Sequence, residues 1–190
     1  MNVYLISDTH FNHQNIATYC QRPTDFTEVI IKRWNETVQS GDTVIHLGDV
    51  MIGKKSEWIM PSLPGRKILI RGNHDRSWSN TKWMKMGFDF SCDAMMFRDW
   101  WITHEPAQKL PWSEGESCQG NIHGHLHNIW DGFRNPDDKR SDCFHQRKLS
   151  NPWQRLFAIE YTDYRPVEFN KFVSHPDKYQ SRGPKSQGGQ

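Results

Sequence analysis

The sequence predicts an α/β fold, a single-domain four-layer α/β/β/α sandwich. Three observations predict it. Short apolar runs alternate with a helical stripe through the first part of the chain. From residue 88 onward the runs are strand-like with little helix between them, as a second sheet packed on the first requires. And each early strand-like run stops where a polar or glycine-containing turn begins.

Taken in order, Val3-Tyr4-Leu5-Ile6 reads as a short buried strand, residues 43–47 as a second and 67–70 as a third. Between the first two, residues 27–38 place Ile30, Ile31, Trp34 and Val38 on one face at helical spacing and end near Gly41. A short helix over 56–60, stopped by Pro61, precedes the third strand, and a helix over 78–86, stopped by Gly87, follows it. Strand-like pieces then fall at 94–97, 100–103, 120–123, 156–161 and 167–169. Residues 128–153 are polar, carry Asn135-Pro136-Asp137-Asp138 and Asn151-Pro152, and read as a long surface loop. The domain is expected to span residues 1–172, with 173–190 a flexible basic tail poor in apolar residues.

A chain of 190 residues fits one domain, and a domain of that size buries roughly 70% of its unfolded surface. Hydrophobic content is only 35%, but nine Trp, ten Phe and five Tyr supply large apolar side chains for one core. The four cysteines are widely spaced with no CxxC pair, which argues against a zinc ribbon or a disulfide framework. The formal charge of +2 is unevenly placed: residues 171–190 hold Lys171, Lys178, Arg182 and Lys185 against Asp177, a tail of +3 that leaves −1 elsewhere. A globally basic nucleic-acid footprint is therefore absent. The N-terminus shows no secretory or lipid-attachment pattern, and no apolar run approaches the ~20 residues of a membrane span. The expectation is a soluble cytoplasmic protein with no membrane partner; the oligomeric state is left open.

Ligand-type residues gather at the ends of the strand-like runs, where α/β folds build their sites. Asp8-Thr9-His10 follows the first, Gly48-Asp49 the second, Gly72-Asn73-His74-Asp75 the third, and Thr103-His104 and Gly124-His125-Leu126-His127 two later ones. A spacing of two puts Asp8 and His10 on one side of an extended turn, so that both can grip one cation, and His125 and His127 repeat that geometry. Asp49 would place a carboxylate whose two oxygens can bridge two ions. Asn73 offers a neutral amide oxygen beside the imidazole of His74. Taken singly each block also fits an ordinary polar turn. Five together, in this order, do not.

In that order, DxH, GD, GNHD, a lone His and GHxH, the chain resembles the calcineurin-like metallophosphoesterase superfamily, and in particular its short bacterial or phage-type members. The blocks lie within residues 8–127, and Phe157 to Tyr161 and Tyr164-Arg165-Pro166 extend the resemblance to residues 1–172. The resemblance implies two divalent ions at the strand ends: Asp8, His10, Asp49 and His127 would hold the first, and Asp49, Asn73, His104 and His125 the second, with Asp49 bridging. It implies ions roughly 3.5–4 Å apart, with a bridging hydroxide as the attacking group. A donor set without cysteine suits Mn first, with Fe, Zn, Co or Ni as alternatives. His74 resembles the family's non-ligand histidine, which protonates the leaving oxygen or stabilises charge on the phosphate, and Asp75 would orient its ring.

Around this set, Asn12 and His13 lie just past the DxH block, as phosphate contacts or as surface polar groups, and Arg71 precedes the GNHD block, as a phosphate contact or a salt-bridged surface residue. His46 and His123, inside strand-like runs, read as satisfied core groups. The segment Val50-Met51-Ile52-Gly53 followed by Lys54-Lys55 departs from the more polar segment usual in the family and leaves the wall facing the substrate undefined. The function expected is hydrolysis of a phosphoester, a diester such as a cyclic nucleotide ahead of a monoester or a nucleic acid. A metal-binding scaffold without chemistry is the reading from another class.

Overall fold

Three apolar runs become neighbouring parallel strands: β1 (Val3–Ile6), β2 (Thr43–His46) and β3 (Arg66–Ile70). Because they are parallel and covered on both faces, they are nearly continuous in apolar residues rather than alternating. Leu5 pairs with Ile45, and Ile45 with Ile68. A fourth parallel strand, β4 (Phe90–Cys92), borders β3, and the last strand, β9 (Val167–Glu168), runs antiparallel along the other side of β1, giving the order β4-β3-β2-β1-β9. The second sheet contains β5 (Ala94–Phe97), β6 (Trp100–Thr103), β7 (Gly120–His123) and β8 (Gln154–Leu156) in that order, antiparallel at the first pairing and parallel at the next two. The computed structural model describes residues 1–111, 118–128 and 151–179.

Helices α1 (Gln14–Tyr19), α2 (Phe26–Thr37), α3 (Ile59–Ser62) and α4 (Asn80–Lys85) cover one face of the first sheet. Ile6, Val44 and Leu69 meet Ile30 and Trp34 of α2 and Trp83 of α4 there. On the opposite face Leu5, Ile45 and Ile70 pack against Trp100, Ile102 and Ile122 of the second sheet. Helix α5 (Phe169–Ser174) adds Phe169 and Phe172 to that inter-sheet core, and α6 (Pro176–Tyr179) adds Tyr179. Two sheets and their helices thus form the α/β architecture the sequence predicts. Among the described residues no helix is long and apolar enough to cross a membrane.

Several boundaries differ from the sequence reading for physical reasons. Pro61 does not stop a helix at 60; it lies within the first turn of α3, where the missing N–H has no partner to lose. The run expected as a strand over 156–161 ladders with β7 only through Leu156; the Phe157 N–H still donates to His123 O at 2.7 Å, and Ile159–Tyr161 then closes into a 3-10 turn. The helix expected at 78–86 is shorter because the Ser79 side chain caps it, accepting from the Lys82 N–H. Phe169, expected in the last strand, opens α5. Of the expected tail, residues 173–174 close α5 and 176–179 form α6, and 180–190 lie outside the described residues, as do 129–150 of the expected long loop.

Candidate metal centre

The parallel strands β1, β2 and β3 end at one edge, and β6 and β7 of the second sheet end beside it. Backbone bonds hold the loops there: Asp8 N–H donates to Gly48 O at 2.9 Å, His10 N–H to Asp49 O at 3.0 Å, and Gly124 N–H to His104 O at 2.9 Å. Asp8, His10, Asp49, His125 and His127 all take left-handed φ, between 44° and 69°. For residues other than glycine such backbone costs of order 1–3 kcal/mol each and persists where its surroundings enforce it, as at functional sites. Two glycines make room. A Cβ at Gly72 would overlap Asp49 Oδ1, and one at Gly124 would overlap Ser7 Oγ and Asp8 Oδ2.

Each carboxylate is split between a structural oxygen and a free one. Asp8 Oδ2 accepts from the Ser7 hydroxyl and from the His125 N–H (3.0 Å), which leaves Oδ1 facing His127 Nε2 at 3.5 Å and His10 Nε2 at 3.9 Å. Asp49 Oδ1 accepts from the His74 N–H at 3.0 Å, and its Oδ2 faces His104 Nε2 at 3.4 Å and His10 Nε2 at 3.6 Å. Two principal groups of donors result. Asp8, His10 and His127 form one, and Asp49, His104 and His125 the other, each with ligand atoms within 4.8 Å of one another; His74 comes as close to His10 and Asp49, and Cys20 to His127 and Glu160. Asp49 Oδ2 lies between them, and Asn73 Oδ1 joins the second at 3.1 Å from His104 Nε2.

These donors fit cations. Asp8 Oδ1 and both ring nitrogens of His10 are buried without a hydrogen-bond partner, a costly arrangement for polar atoms left to themselves. His104 Nδ1 donates to Leu47 O at 2.8 Å, which turns Nε2 toward Asp49, Asn73 and His125 Nδ1 (3.2 Å), so that lone pairs converge. Burial opposes a charge on His104, yet the hydrogen bond and charge of Asp49 and the charge of Asp8 raise its pKa to about 9. Burial likewise works against charge on Asp49, but His104 and then His10 hold its carboxyl well below the usual carboxylate range. The two carboxylates thus favour positive charge beside them at His104. The reverse holds for His10, whose pKa falls through burial and the neighbouring His127. Oxygen and nitrogen donors without sulfur suit first-row divalent metals.

His74 stands at the mouth. Its side chain is 44% exposed, and its Nε2 is 3.8 Å from Asp49 Oδ2, more remote than the His104 and His10 nitrogens. Asp75, expected to orient that ring, has its oxygens engaged elsewhere: Oδ2 accepts from Asp49 N–H (2.7 Å) and Gly72 N–H (2.8 Å), and Oδ1 from Val50 N–H (3.1 Å). It joins the loop after β2 to the loop after β3, and burial, reinforced by Asp49, lifts its pKa to about 6. His13 caps α1, its Nδ1 accepting from Ile16 N–H at 3.1 Å, with its ring 5.7 Å from that of His10. Asn12 donates to Ser56 Oγ at 2.9 Å, and Arg71 pairs with Asp93 at 2.8 Å. His46 is buried, its Nε2 3.0 Å from Thr9 Oγ1 and its Nδ1 accepting from Gly48 N–H.

Arg22 and Glu160 belong to the site and carry no motif. Arg22 donates to Glu160 Oε1 at 2.7 Å, and that same oxygen lies 3.2 Å from His127 Nδ1. Burial opposes the Glu160 charge, but Arg22 and His127 hold its pKa at about 2. The two are far apart in sequence and flanked by ordinary residues, so only the fold brings them together.

The chain matches the calcineurin-like phosphoesterase family over residues 1–185. It is similar to an uncharacterized protein of Methanocaldococcus jannaschii, 37% identical over 184 residues that cover 93% of this chain and 92% of that protein. It also resembles the Gene 66 protein of Mycobacterium phage L5, 34% identical over 82 residues covering 39% of this chain and 40% of the phage protein. Among solved structures, a protein of unknown function from Aquifex aeolicus superposes with a TM-score of 0.64 at 27% identity, covering 91% of this chain and 98% of that one.

Proposed function

The chain belongs to the calcineurin-like phosphoesterase family, and from that premise we propose that it hydrolyses a phosphodiester, such as a cyclic nucleotide, with two divalent cations, manganese before the others. The family supports metal-dependent phosphoester hydrolysis in general. One observation carries the two-cation reading: Asp49 Oδ2 faces donors of both groups, 3.6 Å from His10 Nε2 and 3.4 Å from His104 Nε2.

When bound, a pair of cations neutralises phosphate charge and activates water. The residues do the rest. The first group would hold one ion and the second the other, with Asp49 common to both and its second oxygen kept in place by the His74 N–H. His74, open at the mouth, would give its ring proton to the leaving oxygen as the new bond from water oxygen to phosphorus forms and the ester P–O bond breaks. Preference for a diester rests on likeness to the short members of the family and on the exposure of His74 at the mouth of the centre.

A turnover panel tests this: a simple diester, a cyclic nucleotide, a monoester and DNA, each with manganese and with chelator. Manganese-dependent release from the diesters ahead of the monoester is the expected result. Equal or faster monoester turnover would replace the diester reading, cleavage of DNA alone would make the protein a nuclease, and no turnover on any substrate would leave a metal-binding scaffold.

A further inference from the structure

Behind His127 lies a buried ion pair that the hydrolytic residues do not include. Arg22 sits in the connection from α1 to α2, and Glu160 in the 3-10 turn after β8. Their side chains are 0% and 4% exposed. A buried pair of this kind is a poor stabiliser, since both charges lose their water. Its hydrogen bonds end instead on one half of the metal centre.

Counting hydrogens gives the direction of the bonds among Arg22, Glu160 and His127, with the Cys20 thiol a further neighbour of the His127 ring. Arg22 Nη2 has two, and its nearest acceptors are Glu160 Oε1 at 2.7 Å and Asp8 O at 2.8 Å. Its 3.3 Å approach to His127 Nδ1 therefore has no hydrogen left to share. Glu160 Oε1 can only accept, so the 3.2 Å contact with His127 Nδ1 is an N–H donated by the imidazole. With its proton on Nδ1, a neutral His127 keeps a bare lone pair on Nε2, the atom facing Asp8 Oδ1 at 3.5 Å. Arg22 meanwhile grips the strained turn, donating from Nη2 to Asp8 O and from Nη1 to Thr9 O at 3.1 Å, between the left-handed residues Asp8 and His10.

We propose that Glu160 and Arg22 are positioning residues for the half-centre made by Asp8, His10 and His127: Glu160 selects the tautomer that frees His127 Nε2, and Arg22 fixes both Glu160 and the Asp8–His10 turn. This rests on the two-cation reading above. Neither residue touches the reacting atoms.

The test is calorimetric titration of the full chain with manganese, for the wild type, Glu160→Gln, Glu160→Ala and Arg22→Ala, with folding checked by circular dichroism. Long-range 1H–15N spectra of the zinc-loaded forms add a readout of the His127 ring. The wild type should bind two ions and carry the His127 proton on Nδ1. Each variant should weaken one ion by roughly 10–100-fold and leave the other unchanged, and Glu160→Gln, which keeps the volume, should shift the His127 ring nitrogens. If an alanine variant fails to fold, Glu160→Gln decides. Wild-type affinity for both ions in Glu160→Gln with an unmoved His127 ring overturns the positioning role alone, as does equal loss at both ions. A wild type that does not bind two ions overturns the two-cation reading and this inference with it.

Discussion

His74 and Asp75 are neighbours in sequence with different work in the structure, and two substitutions separate them. His74 contributes its backbone N–H to Asp49 Oδ1 and leaves its ring at the mouth. His74→Ala keeps that N–H, so both cations should still bind while turnover falls by about 10²–10⁴-fold, the usual worth of a positioned proton donor; full activity in the variant would reject the role. Asp75→Ala should act on folding instead, because the N–H groups of Asp49, Gly72 and Val50 would all lose their acceptor. With each buried unsatisfied group costing about 1–3 kcal/mol, urea unfolding should register a loss of about 3 kcal/mol or more. Unchanged stability with lost activity would restore Asp75 to the ring-orienting role the sequence assigns it. The spacing of polar residues at strand ends makes Asp8, His10, Asp49, Asn73, His104, His125 and His127 legible in the sequence, and the structure brings all seven to one edge. Spacing says nothing of where a carboxylate points, so the sequence sets Asp75 beside an imidazole without showing that its oxygens accept from Asp49, Gly72 and Val50, and it gives no sign of Glu160.

At the scale of elements, the same contrast holds between buried strands and the turns that follow them. β1, β2 and β3 are read directly from continuous apolar runs, since a parallel strand covered on both faces leaves that mark. β4 has no such run: Phe90 is 53% exposed at the sheet's border, and the strand exists through its pairing with β3. α1 is equally hidden, being six residues long with only Ile16 buried, and it owes its start to the His13 cap. The turn after β7 is short and crowded. Gly124 lies where any Cβ would run into Ser7 Oγ and Asp8 Oδ2, so Gly124→Ala must push Asp8 or the His125–His127 turn aside. Manganese titration of that variant should find the Asp8, His10 and His127 half weakened more than the half at His104; an unchanged pair of affinities would mean that the turn yields without moving its ligands.

For the molecule as a whole, the order β4-β3-β2-β1-β9 and the seating of one sheet on the other are tertiary facts that short runs in the sequence do not encode, although the presence of two sheets is visible where helices thin out after residue 88. Their consequence is a centre built from both layers. Asp8, His10, Asp49 and Asn73 come from loops of the first sheet, and His104, His125 and His127 from loops of the second. Cations held there would tie the sheets together on the side where Asp8 Oδ1 and His10 are otherwise unsatisfied. Unfolding scatters these donors, so cations bind the folded chain in preference, and one site held at a hundred times its dissociation constant adds about 2.7 kcal/mol. For a domain of this size that is a rise in melting temperature of roughly 5–10 °C. Thermal melts with manganese and with chelator measure it. The Asp49→Asn variant should lose most of the difference, since it removes the charge common to both donor groups; coincident melts of the wild type with and without metal would mean that the two layers share no cation.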